Sequence, residues 1–106
     1  MSEIIICNTA VKDEKSAINI AKSLVQKKLA ACVQIDKNFS SIYKWENKLV
    51  QEPEFQLTIK STTPLMVEIE ETINDLHPYD VPEIVFTKPQ RTSSKYQEWL
   101  ISEVKK

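Results

Sequence analysis

The residues best equipped for chemistry gather in one short segment, HPYDVPE at positions 77–83. It holds the chain's only histidine, His77, with carboxylates at Asp80 and Glu83 and a phenol at Tyr79. An imidazole beside carboxylates is a donor set for Cu(II) or another divalent cation. Two prolines, Pro78 and Pro82, stiffen the segment, which suits a turn that must present side chains. One imidazole per chain makes an open site, so water, Asp80, Glu83 or groups from a neighbouring copy would complete it. The plainer role for His77 is to close the end of the helix before it, where donors and cations meet the last carbonyls.

Other side chains are weaker candidates. Cys7 follows three isoleucines, and Cys32 sits in an apolar block, so both read as small core hydrophobes and not as activated thiols. Tyr43 and Trp45 alternate and therefore share a face of a strand, the pattern of a subunit contact or a ligand wall. Tyr96 and Trp99 belong to one helix face. Lys60 and Glu83 stand at strand ends near polar turns, where an ion pair is the default and anion or metal binding the sharper option. Glu68, Glu70 and Glu71 form a solvated helix face.

Composition excludes several functions. Lys and Arg number 14 against 15 Asp and Glu, with a single arginine, Arg91, so a basic nucleic-acid stripe is absent. There is no glycine, which rules out Gly-rich phosphate loops and dinucleotide fingerprints. No stretch approaches the roughly 18 apolar residues of a membrane span. The opening MSEIIICNTA lacks a basic leader and a long apolar run. Two cysteines make no disulfide framework, so reduced thiols and a cytoplasmic location are expected.

The elements that must position these residues follow from periodicity. Ile4–Cys7 reads as a strand and Lys12–Leu29 as a helix, with Asp13 as its N-cap and Ala17, Ile20, Ala21, Leu24 and Val25 inward. Ala31–Ile35 alternates. Ser41–Trp45 and Lys48–Lys60 are the arms of a hairpin turning at Glu46-Asn47, where Asn47 takes the left-handed conformation that glycine usually supplies. Pro53 marks an edge or bulge. Thr63-Pro64 opens a second helix with Leu65, Ile69, Ile73 and Leu76 inward, Glu83–Thr87 is a last strand, and Ser94–Lys105 a last helix, with Ser94 and Gln97 as a capping box. The order β-α-β-β-α-β-α over residues 1–106 predicts one α+β domain of ferredoxin-like type with an antiparallel sheet. Ile4 to Ile6 and Ile84 to Phe86 are apolar in succession, so both sheet faces want cover, and a second copy of the chain is the simplest cover for the face without helices.

Several blocks, in order along nearly the whole chain, resemble the CutA divalent-cation-tolerance family: LAACV at 29–33, SIYKWENK at 41–48, QLTIK at 56–60, HPYDVPE at 77–83, and Tyr96 with Trp99. The resemblance implies a homotrimer whose hairpins extend the sheets of neighbouring subunits, and an association with copper and other divalent cations. The family's hairpin glycine is Asn47 here. Some bacterial members carry a cysteine aligned at Asn8 and a histidine pair before the PY dipeptide. Here the thiol is Cys7, on the opposite strand face, and His77 follows Leu76.

The expectation is therefore a metal-binding, metal-responsive homotrimer with no obligatory cofactor and no catalytic residues. His77, Asp80 and Glu83 are the metal candidates. Cys32, Tyr43, Trp45, Lys60, Tyr79 and Trp99 are candidates for an intersubunit cleft or interface. The rival reading is a PII-like small-molecule sensor, with an anion held against Lys60 in an intersubunit cleft, by analogy of architecture. Neither nucleic acid nor membrane is an expected partner.

Overall fold

A computed structural model describes residues 3–105 of the 106. The order is β1 Ile4–Val11, α1 Glu14–Gln26, β2 Cys32–Trp45, β3 Lys48–Thr62, α2 Met66–Leu76, β4 Val85–Thr87 and α3 Ser94–Glu103, with a 3-10 turn at Thr63–Leu65 before α2. The four strands form one sheet in the order β2-β3-β1-β4, every pair antiparallel. Strand alternation sends Ile5, Cys7 and Val11 of β1 and Leu57 and Ile59 of β3 to one face. There they meet Ala17, Ile20 and Leu24 of α1 and Ile69 and Ile73 of α2 in a single buried core. Leu100 and Val104, from α3 and its end, are buried as well.

The opposite face carries Ile4, Ile6 and Val85 at its margin, but its middle is Asn8, Gln34, Gln56 and Thr58, with Asn8 Nδ2 donating to Thr58 Oγ1 at 3.3 Å. The apolar run of β1 is thus shared between two unlike faces: a dry one under the helices, and a mostly polar one.

Local signals explain the element ends. Asp13 accepts from the Ser16 amide at 2.9 Å and caps α1; this bond holds its carboxyl below the usual range. α1 stops at Gln26, short of the expected Leu29. Lys28 adopts φ 59°, Leu29 N–H reaches back to the Leu24 carbonyl, and the helix closes without glycine. Val25, expected inward, is 42% exposed. β1 runs to Val11 and not to Cys7, because Asn8 to Val11 are hydrogen-bonded in register with Phe55 to Thr58.

The two segments expected at 31–35 and 41–45 are one strand, β2, carried across a bulge. Asp36 pairs with Gln56 and Phe39 with Glu54, so two residues of β2 face one of β3. Asp36 Oδ1 accepts the freed Asn38 amide. Pro53 lies just beyond the end of β1, where β3 has a neighbour on one side only. The cap expected at Thr63 does not form: its hydroxyl donates to the Glu3 carbonyl instead. The last strand begins at Val85 and not at Glu83. In α3 the cap position is Ser93, with no side-chain capping bond, which displaces the Ser94 and Gln97 box.

Past the bulge, β2 and β3 leave the body as a two-stranded arm, Phe39–Trp45 against Lys48–Glu54, and the molecule reaches 45 Å in length against 26 and 22 Å across. The arm turns at Glu46 (φ 50°) and Asn47 (φ 66°). Two successive left-handed residues match the twist of a two-residue hairpin. Asn47 behaves as its sequence predicts, and Glu46 joins it.

Candidate functional site

At the root of the arm a cleft of about 610 Å³ opens between the β2–β3 hairpin and the turn after α2. Alternation puts Ser41, Tyr43 and Trp45 on one face of the arm, with Glu52 and Glu54 across from them on β3. The turn contributes Tyr79, Asp80, Val81 and Glu83, and the end of β1 contributes Ala10 and Lys12. Five residues singled out from sequence, Tyr43, Trp45, Tyr79, Asp80 and Glu83, thus line one cleft.

The turn is fixed by His77, which is 8% exposed. Its Nε2 lies 2.8 Å from the Ala10 carbonyl, and its Nδ1 lies 3.2 Å from the Tyr79 amide. A carbonyl only accepts and an amide only donates, so the ring is neutral, with its proton on Nε2. The backbone N–H of His77 closes α2 through the Ile73 carbonyl. Both nitrogens are in use, and an ion could reach the imidazole only by breaking one of these bonds. Among the described residues no three His, Cys, Asp or Glu side chains are grouped as a metal would need.

Tyr79 stacks edge-on against His77, ring centroids 4.6 Å apart, and its hydroxyl donates to Glu54 Oε2 at 2.6 Å. Burial, and then the Glu54 carboxylate, raise the Tyr79 phenol well above its ordinary range, so it stays a donor. Tyr43 donates to Glu52 at 3.3 Å and is raised in the same direction, by desolvation first and by Glu52 next. Two tyrosine–glutamate pairs therefore face the cleft. Sequence reading missed Glu52 and Glu54; their alternation on a strand facing Tyr43 was the available signal.

The remaining candidates lie elsewhere. Lys60 pairs across the sheet with Cys32 and Ile6, six residues along β3 from Glu54, about 20 Å of strand. Its ammonium sits 5.4 Å from the centre of the Tyr96 ring, and Tyr96 packs against Trp99. The anion cleft imagined around Lys60 is therefore not this cleft, since Lys60 is turned to an aromatic partner at the other end of the sheet. Cys7 is wholly buried under the helices, and its thiol is pushed up to about 12 by burial and then by Glu83 and Glu70. That is the opposite of an activated nucleophile.

Fold and cleft together define a class: an α+β domain with an antiparallel four-stranded sheet, a projecting hairpin, and an acidic, aromatic cleft at its root. Within that class the chain belongs to the CutA1 divalent ion tolerance protein family, whose model matches residues 5–103. It is 39% identical to the divalent-cation tolerance protein CutA of Thermus thermophilus, over 94% of this chain and 95% of that one. It is 35% identical to the protein of the same name from Pyrococcus horikoshii, over 97% and 100%. The crystal structure of CutA from Xylella fastidiosa superposes with a TM-score of 0.94 at 30% identity, covering 98% of this chain and all of the other. The Thermus thermophilus structure gives 0.92 at 36%, covering 96% and 99%.

Proposed function

We propose that this chain serves tolerance to divalent cations as a homotrimer of single-domain, ferredoxin-like subunits, binding such an ion, Cu(II) foremost, at the 77–83 turn, without catalysing a reaction. The observation that carries the reading is the family membership, joined to a turn whose two carboxylates, Asp80 and Glu83, line a cleft and make no ion pair among the described residues. Asp80, Glu83 and water are the resting donors. Carboxylate and water suit hard ions, whereas Cu(II) favours imidazole. His77 joins by releasing the Tyr79 amide from Nδ1, the longer of its two bonds. The trimer reading draws on the arm, whose apolar side chains find no cover within the chain: Ile42 is 64% exposed and Leu49 74%. Both cysteines are free, in keeping with the reducing cytoplasm as the place of action. No helix among the described residues is long and apolar enough to cross a membrane.

Titration calorimetry with Cu(II) and with Mn(II) tests the site. The double variant Asp80→Asn with Glu83→Gln should weaken both ions by roughly tenfold. His77→Ala should weaken Cu(II) and leave Mn(II) unchanged. Unaltered affinity and stoichiometry for Cu(II) in both variants would remove the turn as the site.

A further inference from the structure

We infer that the outer side of the helical layer is a docking surface for a second copy of the chain, with α1 of each copy seated on α2 of the other. The two helices pack against each other over one face of the sheet, and they carry opposite charge. α1 has a single carboxylate, Glu14, and Lys37 already pairs with it. Lys15 and Lys22 are exposed two turns apart on the same side of α1. No ion pair among the described residues includes either. α2 has four carboxylates and no cationic side chain. Lys105 takes Glu68, which leaves Glu70, Glu71 and Asp75 exposed and in no ion pair among the described residues. The layer thus presents a basic stripe beside an acidic one, in a chain whose formal net charge is only -1.

Such a face complements itself. β1 and β3 are antiparallel, α1 folds back from the end of β1 and α2 from the end of β3, so the helices run in opposite directions along a common seam. A two-fold axis along that seam carries α1 onto α2 of the second copy and α2 onto α1, so each stripe meets its opposite, twice in one contact. An axis across the seam would stack like charge on like, which costs free energy. Val67, 69% exposed on the same line of α2 as Glu71, adds apolar area for the contact to cover. Helix size sets the strength. At 13 and 11 residues the helices are about 20 and about 16 Å long, and the pair is about 20 Å wide, roughly 400 Å² a side. A standard interface uses about 800 Å² a side, so this contact is transient and depends on charge. It uses neither the arm nor the sheet face without helices, the two surfaces that the proposed trimer covers.

Sedimentation velocity of the intact protein tests this, with EDTA present so that no divalent ion bridges the carboxylates. Runs over a range of protein concentration at about 0.01 M and about 1 M NaCl set the screening length at about 30 and about 3 Å. At low salt the weight-average mass should rise with concentration. At high salt it should stay at the mass of the basic assembly, whether that is one chain or three, so a failure here is distinct from a failure of the trimer. Lys15→Glu with Lys22→Glu turns the layer acidic, and Glu71→Lys with Asp75→Lys turns it basic. Each variant alone should weaken low-salt association at least about tenfold. An equimolar mixture of the two should recover it, which lost folding could not produce. If a variant folds poorly, the salt response of the wild type still decides. A wild-type mass that does not rise at low salt would overturn the proposal, as would a rise that survives high salt. So would a mixture of folded variants that associates no better than either alone. Wild-type binding to phosphatidylserine vesicles without self-association, lost in the lysine variant, would also overturn it and assign α1 to an anionic lipid surface.

Discussion

The body and the arm are built from the same sheet, yet they treat their apolar residues in opposite ways. In the body, Ile20, Leu24, Leu57, Ile59, Ile69 and Ile73 are fully enclosed by strands below and helices above. In the arm, Ile42, Trp45 and Leu49 stay more than half exposed. Two strands alone cannot bury a face, because no helix or second sheet lies over them. The body's hydrophobic pattern is answered within the chain; the arm's is not. The cleft lies where these regimes meet, and its residues come from both: Glu54 and Trp45 from the arm, Tyr79 from the body's turn.

The sharpest way to break this comparison is to delete equal apolar bulk in each region. Ile73→Ala, in the core, should cost about 2–5 kcal/mol in chemical denaturation, since it leaves a cavity under α2. Leu49→Ala, 74% exposed, should leave the fold's stability within about 0.5 kcal/mol when measured at dilutions that suppress assembly. Similar losses at the two positions would mean the arm is packed as the body is.

The joint between the regions should respond next. Tyr79→Phe removes the donor that Glu54 has among the described residues, a bond to a charged group, and should cost about 1.5–3 kcal/mol. The sign with pH follows from the raised phenol. Its stabilising contribution is complete below about pH 10, the ordinary tyrosine value, and disappears as pH rises through the higher value of the folded state. In an alkaline titration followed at 295 nm, Tyr79 should ionise above the ordinary tyrosine range, and Tyr79→Phe should remove that final step. A final step that survives the substitution would show that Tyr79 is not held by Glu54.

Smallest is the turn at the tip. Asn47→Val places a β-branched residue at φ 66° and should cost about 1–2 kcal/mol, while Asn47→Gly should be neutral. Equal tolerance of valine and glycine would show that the turn does not constrain the arm.

How far these regions could be read in advance also differs. The helices and core strands were legible because their periodicities are strong and local: Ile69 and Ile73 mark α2, Leu57 and Ile59 mark β3, and Asp13 announces its own cap. The continuity of β2 was not, because Asp36, Lys37 and Asn38 look like a loop and are held in the strand by a bulge against β3. The extension of β1 through Thr9 and Ala10 was hidden for a related reason: neither residue is a strong local signal, and pairing with Leu57 and Gln56 decides their conformation. Of the site, the 77–83 turn stood out by composition. The role of its histidine did not, since a hydrogen bond to the Ala10 carbonyl, 67 residues away, spends the nitrogen that the sequence seemed to offer. Glu54 and Tyr79 are 25 residues apart on unlike elements, and only the folded topology brings them within 2.6 Å.

The proposed homotrimer would cover the arm with other copies of the chain. Light scattering of the purified protein at micromolar concentration tests it most directly. A trimer, about three times the 12.2 kDa chain, is the predicted mass, with Trp45→Glu shifting the protein toward smaller species. A stable wild-type particle of 12.2 kDa would contradict the claim and leave the exposed arm without a purpose in assembly.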